Sequence, residues 1–273
     1  FIGFIMGILL RLAVIISGFL ILYLVYNHSK KPKDTFNNQE IPQTTQKNHK
    51  FDSVEKLNEQ NDKIKNLIVK AMPVKVSSGN MTFRLYGDLA HEKDKFFRLI
   101  LSNKLTGREL DIGSNKEIFW FWSKRVNPPA LYFAKHEDLW KTNLKAPLNP
   151  SWMIESLDVG SINQNKITSY KEEDDILYLY EKRQTADGTD CLFLTVINKK
   201  ENKVCARKLL DNSMRTIIST IYKDDIIFME WKDENASMEW NVKGRQTNVS
   251  LPDSLWKLPD YKNKIDMGNS LVQ

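Results

Sequence analysis

The sequence predicts a mainly β (α+β) protein set behind a membrane anchor, and three observations carry that prediction. Short β-branched and aromatic runs follow one another from Val74 to Lys243, broken at close intervals by Gly, Pro, Asn and Asp. Apolar and polar residues alternate within these runs, as in antiparallel sheet with one buried face. Before them, Phe1 to Tyr26 is almost wholly apolar, and a membrane-crossing helix needs about 20 such residues.

The chain has 273 residues, 41% hydrophobic and 11% aromatic, enough for a real core. Its net charge of +6 is spread along the chain rather than clustered. Lysines on a solvated surface account for it, with attraction to anionic lipid as the lesser reading, and no nucleic-acid partner is expected. Cys191 and Cys205 flank a turn at Asn198–Asn202. They lie near each other but out of direct register, so a disulfide and two free thiols both stay open. No Cys-x-x-Cys or Cys/His zinc spacing occurs.

In chain order, residues 1–26 read as a transmembrane anchor, with Arg11 able to snorkel to one headgroup region. No small-x-small cleavage site precedes Asn27, which favours an uncleaved anchor. Lys30, Lys31 and Lys33 follow the span, and read alone that charge favours a cytoplasmic C-terminal side. Residues 27–52 form a flexible linker, rich in Lys, Asn, Gln and Thr with Pro32 and Pro42. Residues 53–273 form the folded domain. Ser53 reads as an N-cap, and Val54, Leu57, Ile64, Leu67, Ile68 and Ala71 recur at helical spacing up to Pro73.

Strands follow at Val74–Ser78, Met81–Leu89, Lys95–Lys104, Arg108–Gly113, Glu117–Arg125 and Ala130–His136. A short helix, Trp152–Leu157, interrupts them. They resume at Ile167–Lys171, Ile176–Arg183, Cys191–Asn198, Lys203–Leu210, Thr216–Lys223, Ile226–Lys232 and Ser237–Lys243, before an irregular tail. So many short strands in succession predict one large sheet, which curls to cover one face. In the aromatic strand, Ile118, Trp120 and Trp122 share one side and Phe119, Phe121 and Ser123 the other.

Sites of chemistry are absent from the sequence. There is no Gly-rich phosphate loop, His-Glu-x-x-His or Gly-x-Ser-x-Gly. His136-Glu137-Asp138 reads as a solvated strand end, and Glu172–Asp175 as a solvated acidic turn. No catalytic residue, metal or cofactor is therefore expected.

The passages GSNKEIFWFWSKR…PPALYF, PLNPSWMIESLDVG and LPDSLWKLPDYKNKIDMG, spread over Ser53 to Gly268, resemble the LolA/LolB-like lipoprotein-carrier superfamily. That resemblance implies a curled antiparallel half-barrel with helices covering the concave face, which accommodates acyl chains. The chain departs from the family's soluble carriers and lipidated receptors in its apparent anchor and its lack of an N-terminal Cys. No cavity arginine is carried over from the family.

Together these readings give a non-catalytic lipid- or lipoprotein-binding protein. It is expected to be single-pass in the inner (cytoplasmic) membrane, its domain facing the periplasm, and to act in lipoprotein or lipid transfer between membranes. Its partners would be acyl chains, the membrane through the N-terminal helix, and an envelope protein. The alternative is a periplasmic regulatory or sensor module of the same fold, binding a partner protein as anti-sigma-factor regulators do. Strand alternation, with matched registers, places Phe83, Leu85, Leu99, Leu101, Ile112, Trp120, Trp122 and Phe133 on one concave apolar face as the acyl-chain site.

Overall fold

The computed structural model describes residues 50–93, 96–127, 129–142, 150–185 and 188–269. The proposed anchor and most of the linker lie outside the described residues. Among the described residues no helix is long and apolar enough to cross a membrane.

Helix α1 spans Asp52–Asn61, shorter than its sequence pattern suggests, and Phe51 rather than Ser53 stands at its N-cap position. Strand β1, Asn66–Ser78, takes the second half of the expected helix. A bulge between Val69 and Met72 explains the misreading. The buried apolar residues of β1 are Leu67, Val69, Met72, Val74 and Val76, a period of two with one extra residue inserted. That extra residue imitates helical three- and four-residue spacing. Ala71 sits in the bulge with φ +50° and donates its N–H to Asp88 Oδ1 at 2.9 Å.

The remaining strands are β2 (Met81–Glu92), β3 (Phe96–Asn103), β4 (Gly107–Ser114), β5 (Ile118–Ser123), β6 (Leu131–Lys135), β7 (Ile167–Glu173), β8 (Ile176–Gln184), β9 (Asp190–Asn198), β10 (Lys203–Leu210), β11 (Thr216–Lys223), β12 (Ile226–Trp231), β13 (Ala236–Asn241), β14 (Gln246–Thr247) and β15 (Lys264–Asp266). All belong to one sheet, in the order β15-β6-β5-β4-β3-β2-β1-β13-β12-β11-β10-β9-β8-β7, with β14 pairing β1. Two antiparallel meanders thus meet at the β1–β13 pair, and the sheet is open between β7 and β15. Several hairpin turns carry a left-handed Asn or Asp, among them Asp174, Asn202, Asp224 and Asn235. Their side chains make that conformation tolerable, which is why sequence punctuation located the strands well.

The link from β6 to β7 holds a 3₁₀ segment, His136–Thr142, and helix α2, Pro150–Glu155. The tail is more ordered than its sequence suggests. It forms a 3₁₀ turn at Asp253–Trp256 and then β15, which pairs in parallel with β6. Both cysteines are thiols outside any disulfide, Cys191 buried and Cys205 partly exposed. Cys205 lies in a bulge of β10 between Val204 and Ala206, while Cys191 sits at the opposite end of β9, so no disulfide joins them.

Candidate functional site: the helix-covered inner face

Directly opposed residues on antiparallel neighbours project to the same side of a sheet, so the pairing register assigns each side chain a face. Val74 opposes Leu85, Leu89 opposes Leu99, Leu99 opposes Ile112, and Leu101 opposes Leu110. Across the seam, Val74 opposes Trp240, which opposes Ile227. Further on, Trp231 opposes Ile218, Ile218 opposes Leu209, and Leu209 opposes Phe193. This one face carries the largest apolar cluster of the protein. Phe83, Leu85, Leu99, Leu101 and Ile112 all belong to it or pack against it, as the alternation predicts.

The other three expected residues fall on the opposite face. Ile112 opposes Phe121 and Ser114 opposes Phe119, whereas Trp120 opposes Gly113 and Phe133, and Trp122 opposes Asp111. Phe119 and Phe121, not the tryptophans, join the inner cluster, with Phe121 stacked on Tyr132 at 5.0 Å. The strand's own alternation was read correctly. Its phase against β4 was not, because both sets of side chains in β5 are bulky and hydrophobicity alone does not choose between them.

The tail covers the outer face at this point. Trp122 stacks on Tyr261 at 4.9 Å, Phe96 packs on Trp256 at 5.4 Å, and Met267 donates its N–H to the Phe133 carbonyl at 2.8 Å. The Trp120 ring lies across Gly113, where a Cβ would come within 2.1 Å of it. Arg98 and Asp111 form a pair under the same tail. Arg98 donates through Nε and Nη2 to the two Asp111 oxygens at 3.1 and 2.9 Å, and through Nη1 to the Leu255 carbonyl at 3.1 Å. Asp111 is fully buried. The only signal for this cover was the aromatic content of the tail itself.

Two helical segments roof the inner face. Phe51, Val54 and Leu57 of the α1 region pack on Leu177, Leu179, Ile197 and Val204. Trp152, Met153, Leu157 and Val159, in and after α2, pack into the main cluster, and Trp152 meets Phe193 edge-on at 5.5 Å. Two arginines of the sheet fasten the α2 segment. Arg183 Nη1 donates to both Glu155 oxygens at 2.8 Å, its Nη2 reaches Glu181 at 2.8 Å, and its guanidinium lies 3.7 Å from the Phe193 ring centre. Arg207, 5% exposed, donates through Nη2 to Asp158 at 2.6 Å. Burial pushes the Asp158 carboxyl above its ordinary range while Arg207 draws it back, and burial also raises the Tyr222 phenol, keeping it protonated.

This arrangement offers apolar contact and a few buried donors rather than a reactive group. Trp152 Nε1, Trp240 Nε1, Arg207 Nε and Thr220 Oγ1 are buried without a hydrogen-bond partner, and buried donors of this kind favour an acceptor oxygen brought in with a ligand or water. Among the described residues no three His, Cys, Asp or Glu side chains gather as a metal site.

No protein-family model matches the chain, and no curated protein matches it. Solved structures do resemble it in fold. A putative outer membrane lipoprotein-sorting protein domain from Vibrio parahaemolyticus is 8% identical with a TM-score of 0.49, covering 74% of this chain and 96% of that one. A LolA superfamily protein from Nitrosomonas europaea is 12% identical with a TM-score of 0.48, covering 75% and 97%. A DUF1329 family protein from Desulfovibrio piger is 10% identical with a TM-score of 0.48, covering 76% and 95%. The likeness concerns the arrangement of strands alone.

Proposed function

We propose that the chain is a non-catalytic, membrane-anchored binder of lipid or lipoprotein acyl chains, with the helix-covered inner face as its binding surface. One observation carries the reading. A single curled sheet presents a continuous apolar face, and that face is roofed by two short helical segments rather than by a second sheet. A roof of a few side chains is displaced at far less cost than a packed sheet. Each methylene that replaces it on the apolar face contributes about 0.8 kcal/mol. The sequence resemblance to lipoprotein carriers supports the same reading. With residues 1–26 as anchor, the domain would face the periplasm from the inner membrane and pass lipid or lipoprotein between membranes.

The direct test is mass spectrometry of the organic extract from full-length chain purified out of native membranes. Acyl species are expected at near-stoichiometric amounts. A folded chain with no acyl ligand and no uptake of a fluorescent fatty acid would overturn the proposal. Recovery of a protein partner with no lipid would favour the regulatory alternative. Placement is tested separately: protease added to spheroplasts should remove the domain, and protection until lysis would rule out a periplasmic location.

A further inference from the structure

Beneath the first turn of α1 lies a cavity of about 470 Å³, within the roughly 300–1,000 Å³ usual for small-molecule sites. Lys50, Phe51 and Lys56 come to it from the α1 region, Leu177 from β8, and Lys199, Lys200 and Asn202 from the β9–β10 turn. Its lining holds four lysines against two carboxylates, Asp52 and Glu172. Lys199 donates to Glu172 at 2.8 Å, and Lys50 lies 3.8 Å from Glu55. Lys56 and Lys200 form no ion pair among the described residues, so the cavity keeps uncompensated positive charge.

The apolar lining residues are Phe51 and Leu177. At 5% and 0% exposed they form its closed floor, and both belong to the cluster through which α1 roofs the inner face. The cavity therefore brings a cationic rim up to the apolar face itself. Its position in the chain adds a further constraint: Lys50 and Phe51 are the last part of the linker that leads from the proposed anchor.

We infer that this cavity is a headgroup site for an anionic amphiphile, with Lys56 and Lys200 holding a phosphate or similar anionic head while the first methylenes part Phe51 from Leu177 as the α1 roof is displaced. The inference rests on the acyl-binding reading and adds selectivity to it. Apolar burial does not distinguish heads, whereas ammonium–phosphate contacts do. Zwitterionic lipid gains less there, because its own cation meets the same lysines. The shared chemistry, an anionic phosphate, would also admit a soluble phosphate, and the experiment separates the two.

Full-length chain is placed in nanodiscs of phosphatidylcholine alone or with added phosphatidylglycerol, and lysine acetylation rates are read by mass spectrometry. Phosphatidylglycerol should slow the labelling of Lys56 and Lys200 by about tenfold, the factor that about 1.4 kcal/mol supplies, while Lys243 and Lys257 are unchanged. Lys200→Glu should remove the protection of Lys56. Glycerol phosphate added to phosphatidylcholine discs should protect little; equal protection would mean a soluble-phosphate site and overturn the amphiphile. Uniform slowing at Lys243 and Lys257 would mean diffuse attraction to the membrane and would also overturn it. Acyl ligand recovered with Lys56 and Lys200 unprotected defeats this site alone, and protected lysines without any acyl ligand defeat the inner-face reading alone.

Discussion

The two halves of the sheet bury the same inner face by different means. From β2 to β6 the inner residues are almost all apolar, and over β3 to β5 the outer face is covered by the chain's own tail, so the aromatic strand is covered on both sides. From β8 to β10 the inner face mixes Leu177, Leu179 and Phe193 with Arg183 and Arg207, which reach up to Glu155 and Asp158. Apolar contact is non-directional and tolerates a ligand in place of a neighbour. A buried ion pair fixes one partner in one position and is costly when left half-made. The first half is built as a rigid wall, and the second as the place where the roof is tied down.

The rigid wall gives the largest expected effect. Trp120→Ala removes a fully buried ring laid over Gly113 and should cost about 3–5 kcal/mol in chemical denaturation of the full chain. Trp122→Ala, at a half-buried ring stacked on Tyr261, should cost about half as much or less. Equal losses at the two positions would contradict the double-sided cover. Neither change should reduce acyl binding, since both rings stand on the outer face.

The tied-down half breaks differently. Arg207→Ala leaves Asp158 of the roof without its partner and should cost about 2–4 kcal/mol. The double change Arg207→Met with Asp158→Leu should recover most of that loss, because it removes both charges together. If the double variant is no more stable than Arg207→Ala, packing rather than pairing holds the segment.

A smaller effect is expected at the junction of the halves, where β1 bends. Ala71→Gly relieves a left-handed backbone and should stabilise by up to about 1 kcal/mol, the gain offset in part by a freer unfolded chain. A clear loss of stability there would mean that the Ala71 side chain makes a contact worth more than the strain.

The smallest concerns His91, on the inner face of β2 opposite Phe97. Burial lowers its pKa, and the contact of its Nδ1 with the Phe96 carbonyl at 2.8 Å opposes that shift without cancelling it. Below the ordinary histidine pKa of about 6.5 the unfolded chain takes up a proton that the folded chain resists. The stability present above that pH should therefore fall as the pH drops through the window down to the lowered folded value. His91→Gln should flatten this part of the profile, and an unchanged slope would assign it to other groups.

Much of the fold was legible along the chain because strand punctuation is local. Asp174, Asn202, Asp224 and Asn235 mark their turns by residue type, and alternation within β2, β3 and β13 needs no knowledge of a neighbour. β1 was half lost, since a bulge at Ala71 shifts a period of two into apparent helical spacing. The candidate site was legible only in part for a related reason. Leu85, Leu99, Leu101 and Ile112 face polar alternates in their own strands, so each declares its side. Trp120 and Trp122 alternate with Phe119 and Phe121, so β5 declares none.

The sequence by itself determined where most of the strands lie, which residues in each share a side, and that one apolar face had to be covered. Tertiary structure alone decided which side of β5 faces inward, what roofs the inner face, and that the tail folds back over Trp122 and Asp111. Alternation is set by the geometry of single residues, repeated along a strand. Cover is settled by contacts between residues more than a hundred positions apart, as with Arg98 and Leu255, and register by the facing strand, so a strand that is apolar on both sides satisfies either choice until its neighbours are in place.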